Sequence, residues 1–506
     1  MYSNFTRLGN NMFGNKYKWA RKIGFGFGPN ELPPTDVESW NNSQLTSNFK
    51  SVGVAKRSLD VGVWPEEYNF SFEDRLRRAG EYDQGKKEIE KSKKLTSVEK
   101  KKRVRTLRDQ TDVALFDVYK FWNSAIYGDD MVKQRLTHFW TNHFTIGGGG
   151  RRNYVIGDFI YRVIYGNLNS SFEQLLYKVT THVGMLDYLD NADSVGERSE
   201  SAKWARRNGK MQGLNDNLAR ELLELHSVSP DRMYTEDDIR NSAKILAGWG
   251  ANTDSVIRKF YREQRRDNPA IGSLEKFIYE PYFKDRAEPG RKIVLDKKFH
   301  SGKKSLRQLT TMLANDDFTA RHLSKKLAIH FIGESVSESE VDFIYNVWKD
   351  SKGNLDEVHK EVLNVTARSK ERKFLWPSTW MFQAIRFSGS SFLPGFKGGN
   401  ASFAKAVPSK LNYEPKKILE ELGNSFWESR QPDGYSEKKD DWVSTEHFDR
   451  RIKVASRIYS FQPDRQGEEI ADLLDFSDNT KIAIDKASNM RDKFIVALCS
   501  PDFMEV

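Results

Sequence analysis

The 506-residue chain is 38% hydrophobic and 30% charged, with a formal charge of +10, enough for one large core or two to three domains under a thick polar coat. No apolar run approaches the ~18 residues that a membrane-spanning helix needs. The single cysteine, Cys499, excludes internal disulfides and cysteine-based zinc sites, so any metal would need His, Asp or Glu ligands.

In chain order, the opening residues lack the apolar middle region of a signal peptide, so the expectation is a chain with no export address. Lys86 to Arg108, "KKEIEKSKKLTSVEKKKRVRTLR", holds 11 basic and 3 acidic residues. No aromatic is interleaved to stack on bases, so the run reads as a solvated helical linker rather than a nucleic-acid contact. Val113 to Gly128 and Asp130 to Phe144 repeat apolar residues at three and four, which predicts helices. Gly147 to Gly150 break the chain, and helical or near-helical pieces follow from Asn153 to Gly166 and from Ser171 to Asp190. In "MYTEDDIRNSAKILAGWG", Thr235 and Asp238 form a variant capping box and Gly248 can close the helix. "YEPYF" and "RKIVLDKKF" flank Pro289-Gly290 and predict a small hairpin turning there. Ser337 and Glu340 form a second box-like helix start. Residues 388–408, rich in Gly and Ser, read as a long loop or linker. The expected class is mainly α, a large multi-helix domain with a small β-hairpin element. Its expected regions are 1–110, N-terminal with the basic linker; 111–387, a central helical core; and 388–506, a C-terminal part packed on that core.

One stretch concentrates polar groups: "NDNLARELLELHSVSP", Asn215 to Pro230. At roughly 100° per residue, Leu218, Leu222 and Leu225 face a core. Asn217, Glu221 and Glu224 share the opposite side, with Arg220 beside them. The two Glu have Cβ atoms roughly 5–6 Å apart and need water, Arg220, a metal or a shared proton. His226 lies at the edge of the apolar side and can swing round only if the helix ends beside it. Neither helical metal spacing is present: Glu and His three apart, or two His four apart. Two carboxylates on one helix point the same way, which makes them a poor glycosidase pair by themselves. On spacing alone, a solvated polar face is the simpler reading.

The motifs in series alter that balance. Asn215, Asn217, Ala219, Arg220, Glu221, Glu224, Leu225 and His226, then Tyr234, Thr235, Asp238, Ala243, Leu246, Gly248 and Trp249, resemble a family of bacterial proteins catalogued as domain of unknown function 1800. "RKIGFGFGPNEL" (from Arg21), "FWTNHF" (from Phe139), "MLDYLD" (from Met185), "FHSGKKSL" with His300, Gly302 and Lys304, "TARHLSKKLAIHFI" and "PDGY" (from Pro432) are similar to its other motifs. The resemblance covers nearly the whole chain. Ser301 stands where the family has Asp, and Ser227 where it has Thr. Many members carry export signals, often of the twin-arginine type. The resemblance implies a mainly helical fold and no settled reaction, and it singles out the Asn-Arg-Glu-Glu-His set.

Two functions follow as expectations. The first is a hydrolase or other acid/base enzyme, with Glu221, Glu224, His226 and His143 as catalytic candidates. Arg220, Asn217, Asn142, His300 and Lys304 are its substrate-binding candidates. His143, His226 and a Glu leave a divalent metal open. The substrate would be a small molecule or a polymer; 12% aromatic content with 12 Trp suits a carbohydrate cleft, although Trp also packs helices. The alternative is a non-enzymatic, envelope-associated binding or assembly protein in which the same residues form a buried network. Nucleic-acid binding through the basic run ranks last.

Overall fold

The computed structural model describes residues 15–47, 68–111, 113–150, 152–250, 279–390, 414–429 and 431–506. The stretch read as a loop or linker, 388–408, lies outside them beyond Ser390. Most of the buried apolar residues, from Trp19 to Met504, form one continuous cluster, and Ala79, Val113 and Tyr154 form a small separate one.

Helix α1 (Lys16–Ile23) is capped by the Asn15 side chain and buries Trp19, Ala20 and Ile23. The basic run falls on α2 (Phe72–Lys91) and α3 (Ser97–Thr111), which pack side by side. Its charged side chains are exposed or half-buried, as expected of a solvated helical segment. What ties this pair to the body is Arg75 of α2. It donates two 2.7 Å hydrogen bonds to Asp117 of α4 (Ala114–Tyr127), and both side chains are buried. Helix α5 (Met131–His143) follows and buries Trp140 and Arg135, the latter donating to Thr379 at 2.7 Å. The segment after the glycine run begins as α-helix and widens into a π-helix over Phe159–Ile164.

Helix α6 (Asn217–Glu224) carries the acidic motif, and α7 (Glu236–Leu246) starts with the expected capping box of Thr235 and Asp238. The strands β1 (Lys292–Val294) and β2 (Lys297–Phe299) pair antiparallel, with Lys292 opposite Phe299. The hairpin therefore turns at Leu295-Asp296, both at positive φ (46° and 63°), and not at Pro289-Gly290. Both strands lie within "RKIVLDKKF"; Tyr282 of "YEPYF" makes only an isolated bridge to Trp249. A two-residue hairpin loop of this twist needs positive φ at both positions, and Leu at the first gives no sequence signal for it.

Helices α8 (Lys304–Ala314), α9 (Asp317–Phe331) and α10 (Pro377–Ser388) complete the scaffold around the site. The second capping box, Ser337 with Glu340, forms as expected. Every residue of α10 is buried. From it Arg386 donates to the carbonyls of Gly26, Ile126 and Gly128 and pairs with Glu31 at 2.6 Å. Gln383 accepts from Arg21 of α1, whose guanidinium also donates to the Phe503 carbonyl. Lys373 and Val506 exchange main-chain hydrogen bonds of 2.8 and 3.0 Å. The Arg and Glu of the "RKIGFGFGPNEL" motif are thus clasps between distant parts of the chain. No helix among the described residues is long and apolar enough to cross a membrane.

Candidate active site

Helix α6 buries Leu218, Ala219, Leu222 and Leu223, while Leu225 is only half-buried. The helix stops at Glu224. The next turn is wider: the His226 amide donates to the Glu221 carbonyl, five residues back, at 2.9 Å, and Ser229 donates to Leu223 at 3.0 Å. That widening swings His226 off the helix edge into the interior, where it is fully buried. Asn217 is exposed and donates to Asp190 at 3.0 Å. Arg220 makes a two-pronged pair with Glu236 at the start of α7, at 3.1 and 3.0 Å. Its guanidinium therefore ties α6 to α7, with Glu221 and Glu224 left out of the pair. Glu221 is half-buried, and burial with the neighbouring Glu224 charge raises its carboxyl above the usual range, against the pull of Arg220. Asp433 is a further negative neighbour of Glu221. Burial and the adjoining Glu224 push the Tyr234 phenol up to about 12.

Behind this acidic edge lies a group that the motif alone does not show. His143 at the end of α5, His226, and His322 and Lys326 on α9 are mutual electrostatic neighbours. The rings of His143 and His226 are 6.2 Å apart and pack among Phe139, Trp140 and Phe144. Among the described residues, both ring nitrogens of His143 and of His226, and Nε2 of His322, lack a hydrogen-bond partner. Burial lowers His226 to about 3 and His322 to about 4, with the Lys326 charge adding to it. Burial is also the main reason that His143 falls well below its usual value. All three are neutral imidazoles at neutral pH.

Lys326 is half-buried at the cavity wall and pairs with no carboxylate among the described residues. Burial lowers its ammonium, only partly opposed by Glu437 and Asp433. Glu437 is itself taken: His330 of α9 donates to it at 2.6 Å and Lys373 at 2.7 Å. Burial opposes its ionisation, but those two partners win and hold it far below the carboxylate range.

The loop from Pro432 to Tyr435 roofs the site. Asn142 of α5 spends both ends of its amide on the main chain of Tyr435, donating to its carbonyl at 3.0 Å and accepting from its N–H at 2.7 Å. Between them Gly434 sits at φ +83°, where a Cβ would fall 2.5 Å from the Asn142 carbonyl. Gly434→Ala is expected to lift the loop from α5 and cost about 2–4 kcal/mol, from backbone strain and two strained hydrogen bonds. A drop in melting temperature with faster amide exchange around Tyr435 would record it; an unchanged loop would refute it.

Beneath the loop is a cavity of about 410 Å³ lined by His143, Lys326, Asp433, Tyr435 and Glu437, with Phe139 and Ile329 as its apolar wall. Asp433 is an electrostatic neighbour of both Lys326 and Glu221, which joins the cavity to the acidic edge. Among the residues singled out by sequence, the structure thus places His143 in the cavity wall, His226 packed against it, and Glu221 and Glu224 on the acidic edge beside it, with Asn142 fixing the roof. His300 and Lys304 are exposed beside the hairpin and do not line this cavity. Among the described residues, no three His, Cys, Asp or Glu side chains group so as to hold a metal ion. Lys326, His322 and Asp433 were not singled out by sequence. The available signal was His322, Lys326 and His330 at four-residue spacing, one polar stripe along a basic helix.

The fold and the site define a mainly helical protein with a polar cavity between α5, α9 and the loop from Pro432 to Tyr435 that roofs it. His143, Lys326, Asp433 and Tyr435 of that wall lie in the motifs. The chain belongs to the family described as Protein of unknown function (DUF1800), which matches residues 18–505. No curated protein and no solved structure matches it.

Proposed function

We propose that the protein is an acid/base enzyme whose reaction space is the cavity under the Asp433 loop. The observation that supports this most is the wall itself: beside a cavity of about 410 Å³ stand a lysine that pairs with no carboxylate and neutral imidazoles whose ring nitrogens lack hydrogen-bond partners, among the described residues. Buried polar groups are nearly always hydrogen-bonded, and a cluster that is not, next to an open space, is suited to a ligand's polar atoms. In this reading His143 moves protons, Glu221 acts as an acid at the mouth because its carboxyl holds its proton to higher pH, and Lys326 faces the substrate. The substrate is a polar small molecule or the end of a polymer. The test is a panel of chromogenic esters, phosphates, glycosides and peptides, run with wild type, Glu221→Gln and His143→Gln. One class should be turned over, with losses of about 10²–10⁴ in the variants. Equal rates in all three proteins would end the proposal.

A second reading, the structural network of a binding or assembly protein, draws support from Arg220–Glu236 and from Glu437 locked by His330 and Lys373. Stability separates the two. A carboxyl whose pKa is raised by folding favours the fold while protonated, and that contribution is lost as pH rises through the folded value. Glu221→Gln should therefore raise the melting temperature at pH 7, with the gain gone below the ordinary carboxylate range. A structural Glu221 would instead give a clear loss at pH 7.

A further inference from the structure

Lys326 has the surroundings of an amine used as a nucleophile rather than as a charge. A lysine that serves the fold either snorkels its ammonium to water or meets a carboxylate. Lys373, two elements away, does the second, with Glu437 at 2.7 Å. The adjoining Lys325 does the first and is exposed. Lys326 meets no carboxylate among the described residues and opens only onto the cavity, whose half-buried Glu437 is already held by Lys373 and His330. Its neighbours His143, His226 and His322 are uncharged, and each is made harder to protonate by the lysine. By reciprocity, protonating any of them would push the lysine toward the free amine. Phe139 and Ile329 give the space beside it an apolar side. A desolvated amine next to neutral bases is the arrangement in which lysine attacks carbonyl carbon.

We infer that Lys326 forms an imine with an aldehyde or ketone substrate in the cavity, with His143 relaying the protons. The inference rests on the cavity being the reaction site. The Nζ lone pair attacks the carbonyl carbon, making the C–N bond as the C=O π pair moves to oxygen. One proton passes from nitrogen to that oxygen. A second proton, the one the ammonium gives up to become the attacking amine, lets the C–O bond break and water leave, giving the protonated imine. His143, with both ring nitrogens unpartnered, takes the first proton and returns it. Nothing is oxidised or reduced.

The experiment uses the full chain with pyruvate, glycolaldehyde and dihydroxyacetone as separate probes, each with and without sodium borohydride. Hydride from borohydride adds to the imine carbon and fixes the adduct as a secondary amine, which peptide mass mapping then locates. Lys326 should carry at least about tenfold more adduct than the exposed Lys325. His143→Gln should slow adduct formation at Lys326 without changing that at Lys325. Lys326→Met should remove the adduct while leaving the exposed lysines as they were. Equal labelling of Lys326 and Lys325 with all three probes overturns the inference. If trapping fails while Glu221→Gln and His143→Gln still abolish turnover of a substrate from the panel, the cavity remains the site and only the imine falls.

Discussion

Acidification is expected to unfold this protein between about pH 5.5 and 4.5, beginning above the range where carboxylates protonate. The cause is histidine burial. His138, His143, His182, His226, His330 and His359 are all buried, and burial lowers each below its ordinary value. His359 accepts a hydrogen bond from the Trp140 indole at 2.9 Å, and His182 accepts from the Gly184 amide at 3.1 Å, so both are used as neutral bases. The unfolded chain takes up protons as pH falls below about 6.5, whereas the folded chain resists. The stability from a neutral buried imidazole is therefore complete above that value and shrinks below it. At about pH 4.5, a group held to about 3, such as His226 or His359, costs about 3 kcal/mol. A few such groups together are comparable to the ~5–15 kcal/mol by which native domains are stable. Melting temperature should drop steeply from pH 6.5 downward, with uptake of several protons on unfolding. A flat profile to pH 4.5 would contradict the burial assigned here. His359→Gln, which keeps an acceptor for Trp140, should remove about one proton from the slope.

The second large effect sits at the other end of the site's scaffold. Asp117→Ala is expected to cost about 3–5 kcal/mol, because it leaves the Arg75 guanidinium buried without its counter-charge. Arg75 keeps only the carbonyls of Phe70 and Tyr154. The backbone of the helical segment 152–158 is packed so tightly here that a Cβ on Gly157 would lie 2.1 Å from the Asp117 carboxyl carbon. Replacing both partners, Arg75→Met with Asp117→Leu, should recover much of the loss, since an apolar pair needs no compensation. Thermal melts of the single and double variants check this. Additive losses in the double variant would mean that the pair is not a coupled unit.

Local chemistry made much of the fold legible. The capping boxes at Thr235 and Ser337 and the two-sided pattern of α6 are decided within a few residues of chain. The hairpin turn was not, because Leu295 at positive φ departs from the residues that usually mark such turns. The candidate site was half legible. Glu221, Glu224, His143 and His226 stood in motifs, and the end of α6 beside His226 was the condition for that ring to turn inward. The role of Asn142 was hidden, since its partner Tyr435 is 293 residues away. Lys326 was hidden for a different reason. It follows Lys325 in a basic helix, and only packing distinguishes the exposed lysine from the one that faces the cavity.

The clasp between α1 and the far end of the chain sets a timetable for synthesis. Arg21 reaches the Phe503 carbonyl across 482 residues. At about 5–20 residues per second, a ribosome needs roughly half a minute or more to deliver that acceptor. Until then Trp19, Ala20 and Ile23 have no completed surface to settle on, and a nascent chain with such an uncovered stripe is a client for holding chaperones. Premature termination a few residues short of Phe503 would deprive Arg21 of that acceptor.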